Sequence, residues 1–318
     1  AMPGVRLVVT GADLVQAGVN PIPGVSGFAR ADGSPARSAP RYALAVGRVR
    51  FVGEPVAAVV AQTLEQARQA AEAIEVDYDS LPVAVHLADA TAPGAPLMCE
   101  ELGDNIAAEM RHGDAKATAA AFAAAKHVVR LNIANQRLSA LALEPRSVLH
   151  TYDAESGRLT IRMSSQMPSG LRDTVCGALN LPKAQCRVIV GDVGGGFGMK
   201  TGAYPEDVAV AFCCRALKQP VKWIADRSEE FLSAGHGRDV DSVAELALDA
   251  NGKILALRVV SEANIGAYAT GVAVAIALLI GPWVQTSVYD IQTIDFHFKG
   301  VLTNTAPIGA YRGAGRPE

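Results

Sequence analysis

The sequence predicts a mixed α/β protein of the α+β kind with much antiparallel strand pairing, and two hairpin signals carry this prediction. Alternating apolar and polar residues flank the turn residues Asp153–Gly157, and a second pair of such runs flanks Asn251-Gly252. Segments with helical signals lie before and between these hairpins. A length of 318 residues is enough for two domains, each with its own core.

The first ninety residues predict a small α+β unit. The Val- and Ala-rich run from Arg50 to Ala61 is typical of a buried strand. Thr63 begins a capping-box pattern that predicts a helix through about Ile74. The run at 73–85 then predicts a returning strand.

The rest of the chain predicts alternating helices and strands, at 116–125, 127–133, 169–179 and 185–190, with a further helix from Pro205. Prolines and glycines in the segment 91–105 are typical of a linker. We therefore expect one domain at 1–90 and a second at 106–318, joined by the linker 91–105.

Composition argues against several classes of function. Half of the residues are hydrophobic and the net charge is −3, whereas nucleic-acid-binding proteins usually carry a basic excess, so no nucleic acid is expected as a partner. The longest apolar run, Gly271 to Ile280, falls well short of the ~20 residues that span a bilayer, so it predicts buried core and no membrane span. No N-terminal export pattern is evident, and we expect a cytoplasmic protein.

The cysteines form no C-x-x-C pair, which argues against a zinc site, an iron–sulfur site and a disulfide framework. Their number, five, is odd. Buried free thiols in a reducing compartment are therefore expected. They are Cys99, Cys176, Cys186, Cys213 and Cys214.

The stretch GDVGGGFGMKTGAYPED begins at Gly191 and predicts a strand, a glycine-rich loop and a helix. It is no P-loop, because Met199 separates Gly198 from Lys200, and the spacing from Gly194 does not match a dinucleotide fingerprint. Successive glycines can turn their N–H groups to one side and form a nest for an anion. The alternative is a tight turn between core elements.

A second glycine-rich loop, TAPIGAYRGAGRPE, carries Arg312 between Tyr311 and Gly313, and Arg316 follows. An arginine held by such backbone geometry can direct a rigid fork of donors at a ligand. By itself the loop is equally compatible with a solvated turn arginine.

Four segments together resemble one family. They are RFVGEPVAAVVAQTLEQARQAAEAIEVDYD, EPRSVLHTYD, GGGFGMK and AYRGAGRPE, and they cover nearly the whole chain. They are similar to the large, molybdopterin-binding subunit of the xanthine dehydrogenase, aldehyde oxidase and aerobic carbon monoxide dehydrogenase family, the molybdenum hydroxylases. The resemblance implies an α/β-hammerhead domain over 1–90 and the first molybdopterin-binding domain over 106–318.

The resemblance also implies site residues. The glycine loop would lie beside the molybdenum, with Gln166 as a hydrogen-bond donor to an oxo ligand of the metal and Arg312 as the catalytic residue that stabilises negative charge on the substrate. The metal would be held through the pterin dithiolene, with no direct ligand from the chain. The implied cofactor-binding residues are Gln166, Gly195, Gly196, Phe197 and Gly198.

Two positions depart from the patterns of individual family members, and a third matches a family motif in a different context. Thr201 stands where purine-oxidising members carry an acidic residue, which argues against xanthine as the substrate. Gly313 stands where carbon monoxide dehydrogenases carry a copper-binding cysteine, which argues against copper-dependent oxidation of carbon monoxide. Glu54 lies in a Val-Gly-Glu-Pro string like that of the family's catalytic base, but its surroundings match the hammerhead strand, so a structural role is expected.

The function implied is hydroxylation of an aldehyde or an N-heteroaromatic substrate with oxygen from water. The cofactor would be molybdenum-molybdopterin in its cytosine dinucleotide form, with [2Fe–2S] clusters and FAD on partner chains. The expected partners are an iron–sulfur subunit, an FAD subunit and the remaining C-terminal molybdopterin-binding half.

Alternative interpretations remain at this point. The chain could be an inactive fragment or a split subunit that acts only in binding or assembly, and the isolated chain is expected to be inactive in either case. Outside the family, it could be a metal-free scaffolding domain or a phosphate-cradling transferase that uses Lys200.

Overall fold

The protein is described by a computed structural model that covers residues 2–317. Spatial contacts divide the chain into two compact units that do not follow chain order. The first unit comprises Ala1–Pro23, Pro40–Pro82 and Ala140–Ala234, and the second comprises Gly24–Ala39, Val83–Ser139 and Gly235–Glu318. The predicted domain boundaries at residues 90 and 105 stay a prediction.

The strands are β1 (Val5–Thr10), β2 (Ala57–Ala61), β3 (Ile106–Gly113), β4 (His127–Asn135), β5 (Leu138–Ser139), β6 (Ser147–Asp153), β7 (Arg158–Met163), β8 (Cys186–Ile189), β9 (Val221–Ile224), β10 (His236–Gly237), β11 (Val240–Leu248), β12 (Ile254–Gly266) and β13 (Ile294–Leu302). The α-helices are α1 (Gly11–Gln16), α2 (Leu64–Glu72), α3 (Leu87–Thr91), α4 (Ala115–Ala124), α5 (Pro168–Ala178), α6 (Pro205–Leu217), α7 (Arg227–Ser233), α8 (Gly271–Ala275) and α9 (Gly281–Val284). Short 3₁₀ helices lie at Glu100–Leu102, Lys183–Gln185 and Met199–Thr201, and a π-helix lies at Ile276–Ile280.

The first unit contains a four-stranded sheet in the order β8-β7-β6-β9 and the two-stranded sheet of β1 and β2. The predicted hairpin around Asp153–Gly157 is confirmed, because β6 and β7 pair antiparallel. Helices α5 and α6 pack on the four-stranded sheet, and Leu159, Ile161 and Val208 are completely buried in the core of this unit.

The topology of this sheet explains why two loops of the chain meet. Strands β7 and β8 are parallel neighbours, so their carboxyl ends lie at the same edge of the sheet. Residues 164–167 connect β7 to α5, and residues 190–204 connect β8 to α6. Both helices begin with a proline, Pro168 and Pro205, at the first helical turn, where the missing N–H costs no hydrogen bond.

The second unit contains a five-stranded sheet in the order β3-β13-β12-β11-β4 and a short sheet of β10 and β5. Strands β11 and β12 form the second predicted hairpin, and β12 and β13 are parallel. The apolar run Gly271–Ile280 is helical, and Val274 and Leu278 are fully buried in the same core as Phe296, which confirms the prediction of core. No helix within residues 2–317 is long and apolar enough to cross a membrane.

The predicted strand at 73–85 is wrong. Residues 74–85 form no strand ladder, and most apolar side chains there, including Tyr78 and Val83, are exposed. Pro82 removes a donor, and Asp77 and Asp79 disfavour burial, so alternation alone did not produce a strand. The preceding strand is also shorter than predicted and begins only at Ala57.

The cysteines are free thiols, as predicted. Four of them are buried, and Cys99 is half-buried. Burial raises the pKa of Cys186 to about 12 and those of Cys213 and Cys214 to about 11, so these thiols stay protonated and unreactive at neutral pH.

Candidate active site

The glycine loop, residues 194–200, follows β8 with an unusual backbone. Gly195 and Gly198 have φ values of +101° and +97°, which glycine tolerates because it has no Cβ. Phe197 also has a positive φ, +51°, although a side chain makes this conformation unfavourable. Its ring is 45% exposed. The loop therefore presents an aromatic ring outward on a strained backbone.

Gln166, which lies in the turn after β7, is bonded to this loop. Its Oε1 accepts hydrogen bonds from the N–H groups of Gly198 (3.0 Å) and Lys200 (3.3 Å). A Cβ at Gly196 would lie 2.4 Å from the same oxygen, so only glycine allows this approach. The two N–H donors fix the orientation of the amide, and Nε2 donates to no group within residues 2–317. A free amide donor thus stands beside the loop.

Lys200 turns its side chain into the protein. Its Nζ donates to the backbone oxygen of Glu144 (2.9 Å), to Glu144 Oε2 (2.8 Å) and to Ser164 Oγ (3.0 Å). These three bonds use all three ammonium donors, and the residue is only 3% exposed. This geometry argues against the transferase alternative, in which Lys200 would have to reach a phosphate.

Glu144 is the acceptor at the centre of this arrangement. Its Oε2 accepts from Lys200, from Ser164 Oγ (2.7 Å) and from the N–H of Gly194 (2.8 Å). Partial burial opposes ionisation, but the hydrogen bonds from Lys200, Ser164 and Gly194 outweigh it and lower the pKa of Glu144 to about 2. Glu144 is therefore ionised at physiological pH, and it forms an ion pair with Lys200.

Arg312 belongs to the second unit, so its place relative to the glycine loop stays a prediction. Its side chain is exposed and makes no ion pair or hydrogen bond within the described part of the chain. The loop around it is tight, with positive φ at Gly313 (+105°), Ala314 (+38°) and Gly315 (+89°). Arg316 donates to the oxygen of Gly313 (2.9 Å), so this second arginine serves the loop itself.

Arg238 bonds the backbone of the loop that carries Arg312. Its guanidinium donates to the backbone oxygens of Tyr311 (2.7 Å) and Arg312 (3.0 Å) and lies 4.8 Å from the centre of the Tyr311 ring. The side chain of Arg238 is buried, and a Cβ at Gly237 would lie 2.3 Å from that of Tyr311. The backbone of Arg312 is thus fixed while its own guanidinium is left exposed.

Sequence reasoning missed Glu144 and Arg238. Glu144 lies in EPRSVLHTYD, a segment that carried the family resemblance without a role for this residue. Arg238 gave no local signal, because its partners are 73 and 74 residues away along the chain. The carboxylate of Glu54 accepts from the N–H of Arg50 (2.6 Å) around the turn at Gly53, and a structural role for Glu54 stays a prediction.

The groups around the glycine loop that could contact a ligand are backbone N–H groups and the Gln166 amide. No group of three or more His, Cys, Asp or Glu side chains within residues 2–317 could hold an ion directly. The missing side chains at 194 and 196 let Glu144 and Gln166 approach the loop backbone closely, and the Gln166 amide offers a neutral donor.

Two segments of the chain match the domains of known families. Residues 98–318 match the molybdopterin cofactor-binding domain, and residues 1–82 match the a/b hammerhead domain of aldehyde oxidase and xanthine dehydrogenase. The chain belongs to the molybdenum hydroxylase family. The resemblance seen in the four sequence segments is therefore confirmed.

Named members of this family are similar over nearly the whole chain. The nicotine 6-hydroxylase large subunit of Paenarthrobacter nicotinovorans is 32% identical and covers 99% of this chain and 38% of its own. The carbon monoxide dehydrogenase large chain of Hydrogenophaga pseudoflava is 34% identical, over 98% of this chain and 39% of that protein. The chain thus spans about two fifths of the length of these molybdenum hydroxylases.

Solved structures confirm the predicted α+β fold class. Quinoline 2-oxidoreductase from Pseudomonas putida 86 is similar with a TM-score of 0.87 at 34% identity, over 99% of this chain and 39% of that one. The Cu,Mo-CO dehydrogenase is similar with a TM-score of 0.88 at 32% identity, over 98% of this chain and 39% of that one.

Proposed function

We propose that this chain supplies part of the active site of a molybdenum hydroxylase that oxidises an N-heteroaromatic substrate or an aldehyde with oxygen derived from water. One observation carries the proposal. The Oε1 of Gln166 is bonded to the N–H groups of the glycine loop, and this leaves Nε2 as a free donor beside that loop. A donor fixed in this way is preorganised for an oxygen atom of a bound cofactor.

The cofactor proposed is molybdenum-molybdopterin in the cytosine dinucleotide form, which when bound would supply a two-electron acceptor and the oxygen to be transferred. Gln166 would orient it by donation from Nε2. Gly195, Gly196, Phe197 and Gly198 would border it. The exposed guanidinium of Arg312 would stabilise negative charge that develops on the substrate.

An N-heteroaromatic substrate is favoured by the relatives. The names of two of them refer to nicotine and quinoline, both of which contain a nitrogen heteroaromatic ring. Gly313 lies beside Arg312 where a copper-binding cysteine would be needed, so oxidation of carbon monoxide is not proposed despite the similarity to carbon monoxide dehydrogenase.

Electrons would leave through [2Fe–2S] clusters and FAD on partner chains, in a cytoplasmic complex that also includes the C-terminal molybdopterin-binding half. The names of two relatives refer to a large subunit and to a subunit of a complex, which supports this assembly. The second candidate, a subunit with a role only in assembly, would retain the same contacts without needing the free amide of Gln166.

The test uses the complete enzyme that contains this chain, purified from a host that makes the molybdenum cofactor. Gly196→Ala places a methyl group 2.4 Å from Gln166 Oε1 and should displace the amide from the loop. We expect this variant to retain the cofactor about 10-fold less well or worse, as is usual when a supporting hydrogen bond at a metal site is lost. Molybdenum content by mass spectrometry is the measurement.

Gly191→Ala is the matched control. It adds the same methyl group just ahead of the loop, where nothing lies within 4 Å of the new Cβ and φ is not positive, so it should retain molybdenum as the wild type does. Gln166→Ala should resemble Gly196→Ala. Wild-type molybdenum content in both Gln166→Ala and Gly196→Ala would contradict the proposal and favour the assembly subunit.

A further inference from the structure

We infer that Glu144 and Lys200 are positioning residues that clamp the two ends of the glycine loop and so set the place of Gln166. Glu144 is bonded to the start of the loop twice. Its Oε2 accepts from the N–H of Gly194 (2.8 Å), and its own N–H donates to the oxygen of Gly194 (3.2 Å). At the other end, the Nζ of Lys200 donates to the same carboxylate.

The loop needs such a clamp because its backbone is unfavourable. Phe197 has a positive φ, and a strained residue persists only where the surrounding contacts hold it. Gln166 bonds the middle of the loop at Gly198, and the start of the loop is held at Gly194, which approaches Glu144 so closely that a Cβ would lie 2.6 Å from the Glu144 Cβ. Fixing both ends leaves the exposed middle of the loop few conformations.

The clamp also reaches Gln166. The backbone oxygen of Lys200 accepts from the N–H of Gln166 (2.8 Å), and the N–H of Lys200 donates to Gln166 Oε1 (3.3 Å). Lys200 therefore holds the glutamine through its main chain while its side chain is held by Glu144 and Ser164. A displaced Lys200 would release both the loop and the amide.

Burial of Lys200 makes its contacts with Glu144 and Ser164 rigid. The side chain of Lys200 is 1% exposed, so its charge has no water to replace the bonds to Glu144 and Ser164. The Glu144 side chain is 35% exposed, but loss of its carboxylate would leave the buried ammonium of Lys200 uncompensated, which is more disruptive than breaking a pair between two exposed side chains. The same unit contains a surface pair for comparison, in which Lys183 lies 2.7 Å from Asp173 and is 63% exposed.

The test is amide hydrogen exchange, measured by mass spectrometry, on the 318-residue chain without cofactor. Lys200→Met keeps the length of the side chain and removes its charge. We expect exchange of the amides at 194–200 to become about 10-fold faster or more, because the loop can then open locally without breaking the bonds of Lys200 to Glu144 and Ser164. The amides of β7 should keep their rates. Lys183→Met, the matched control, should change neither.

Three outcomes would overturn the inference. The loop amides of Lys200→Met could exchange at the wild-type rate, or the loop and β7 could accelerate by the same factor, which would indicate only a general loss of stability. If Lys200→Met does not fold, Glu144→Gln, which keeps an oxygen acceptor, should show the same local acceleration to a smaller degree. Unfolding of both variants would mean that the pair serves the whole fold.

The relevance of this clamp to a cofactor rests on the proposed function, but the exchange measurement does not. Wild-type exchange rates of the loop amides in Lys200→Met would contradict the inference even if the wild-type enzyme contains molybdenum. A wild-type enzyme without molybdenum would contradict the proposed function even if the loop amides respond as expected.

Discussion

At the scale of single residues, Arg312 combines a fixed backbone with a side chain free to meet a ligand. Arg238 bonds the backbone oxygens of Tyr311 and Arg312, whereas the Arg312 guanidinium is exposed. If this group stabilises charge on the substrate, Arg312→Met in the complete enzyme should lower the rate of substrate reduction by about 10²–10³. Stopped-flow reduction is the measurement, and molybdenum content should stay unchanged.

Two further substitutions sharpen this prediction. Arg312→Lys should recover only part of the rate, because an ammonium lacks the planar fork of donors. Arg316→Met removes an arginine that bonds the loop itself at Gly313, so it reports the effect of disturbing the loop. Equal loss in Arg312→Met and Arg316→Met, or a wild-type rate in Arg312→Met, would show that Arg312 has no charge-stabilising role.

At the scale of elements, the parallel pairing of β7 and β8 brings the turn of Gln166 to the glycine loop. The same sheet contains an acid-sensitive position on β6. His150 is completely buried, and neither ring nitrogen has a hydrogen-bond partner in the described chain. Burial lowers the pKa of His150 to about 3, so this histidine is neutral in the folded protein at neutral and mildly acidic pH.

This pKa predicts how stability depends on pH. An unfolded histidine has a pKa of about 6.5, so below that pH the unfolded chain gains a proton that folded His150 cannot accept until about pH 3. The contribution of His150 to the free energy of unfolding should therefore fall by about 2 kcal/mol between pH 7 and pH 5. Urea denaturation at the two pH values measures it.

His150→Leu, of similar volume, should remove this part of the pH dependence. It should also stabilise the protein at pH 7, because it replaces two unsatisfied buried nitrogens. His127→Leu is the control, since His127 is exposed on β4 and its replacement should leave the pH dependence in place. If His150→Leu loses as much stability as the wild type between pH 7 and pH 5, the assignment to His150 is wrong.

At the scale of the whole molecule, the chain spans about two fifths of the length of its relatives. Its Val-Gly-Glu-Pro glutamate, Glu54, is engaged at a turn, and no set of cysteines suits an iron–sulfur cluster. We predict that the purified 318-residue chain does not hydroxylate an aldehyde or an N-heterocycle with an artificial electron acceptor. The complete enzyme, assayed in parallel, is the positive control, and turnover by the chain alone would contradict the prediction.

The family, the fold class and most of the secondary structure are predictable from the amino-acid sequence alone. These follow from local signals, such as the hairpin turns at Asp153–Gly157 and Asn251-Gly252, the proline that begins α6, and the glycine loop. Such signals lie within a few residues of one another, so they can be recognised without knowledge of the fold. Gln166 was also predicted as a site residue, through the family resemblance. The structure places its amide beside Gly196 and Gly198, and its role at a cofactor stays a prediction.

The residues that support the candidate site are recognisable only in the folded chain. Glu144 meets Lys200 across 56 residues of chain, and Arg238 meets Tyr311 across 73, so no local pattern connects them. The failed strand prediction at 73–85 has a local cause instead, because Pro82 and two aspartates disfavour a strand in a run that alternation alone would make one. Local patterns report propensity, whereas these partners are selected by burial and by the hydrogen bonds that buried charges require.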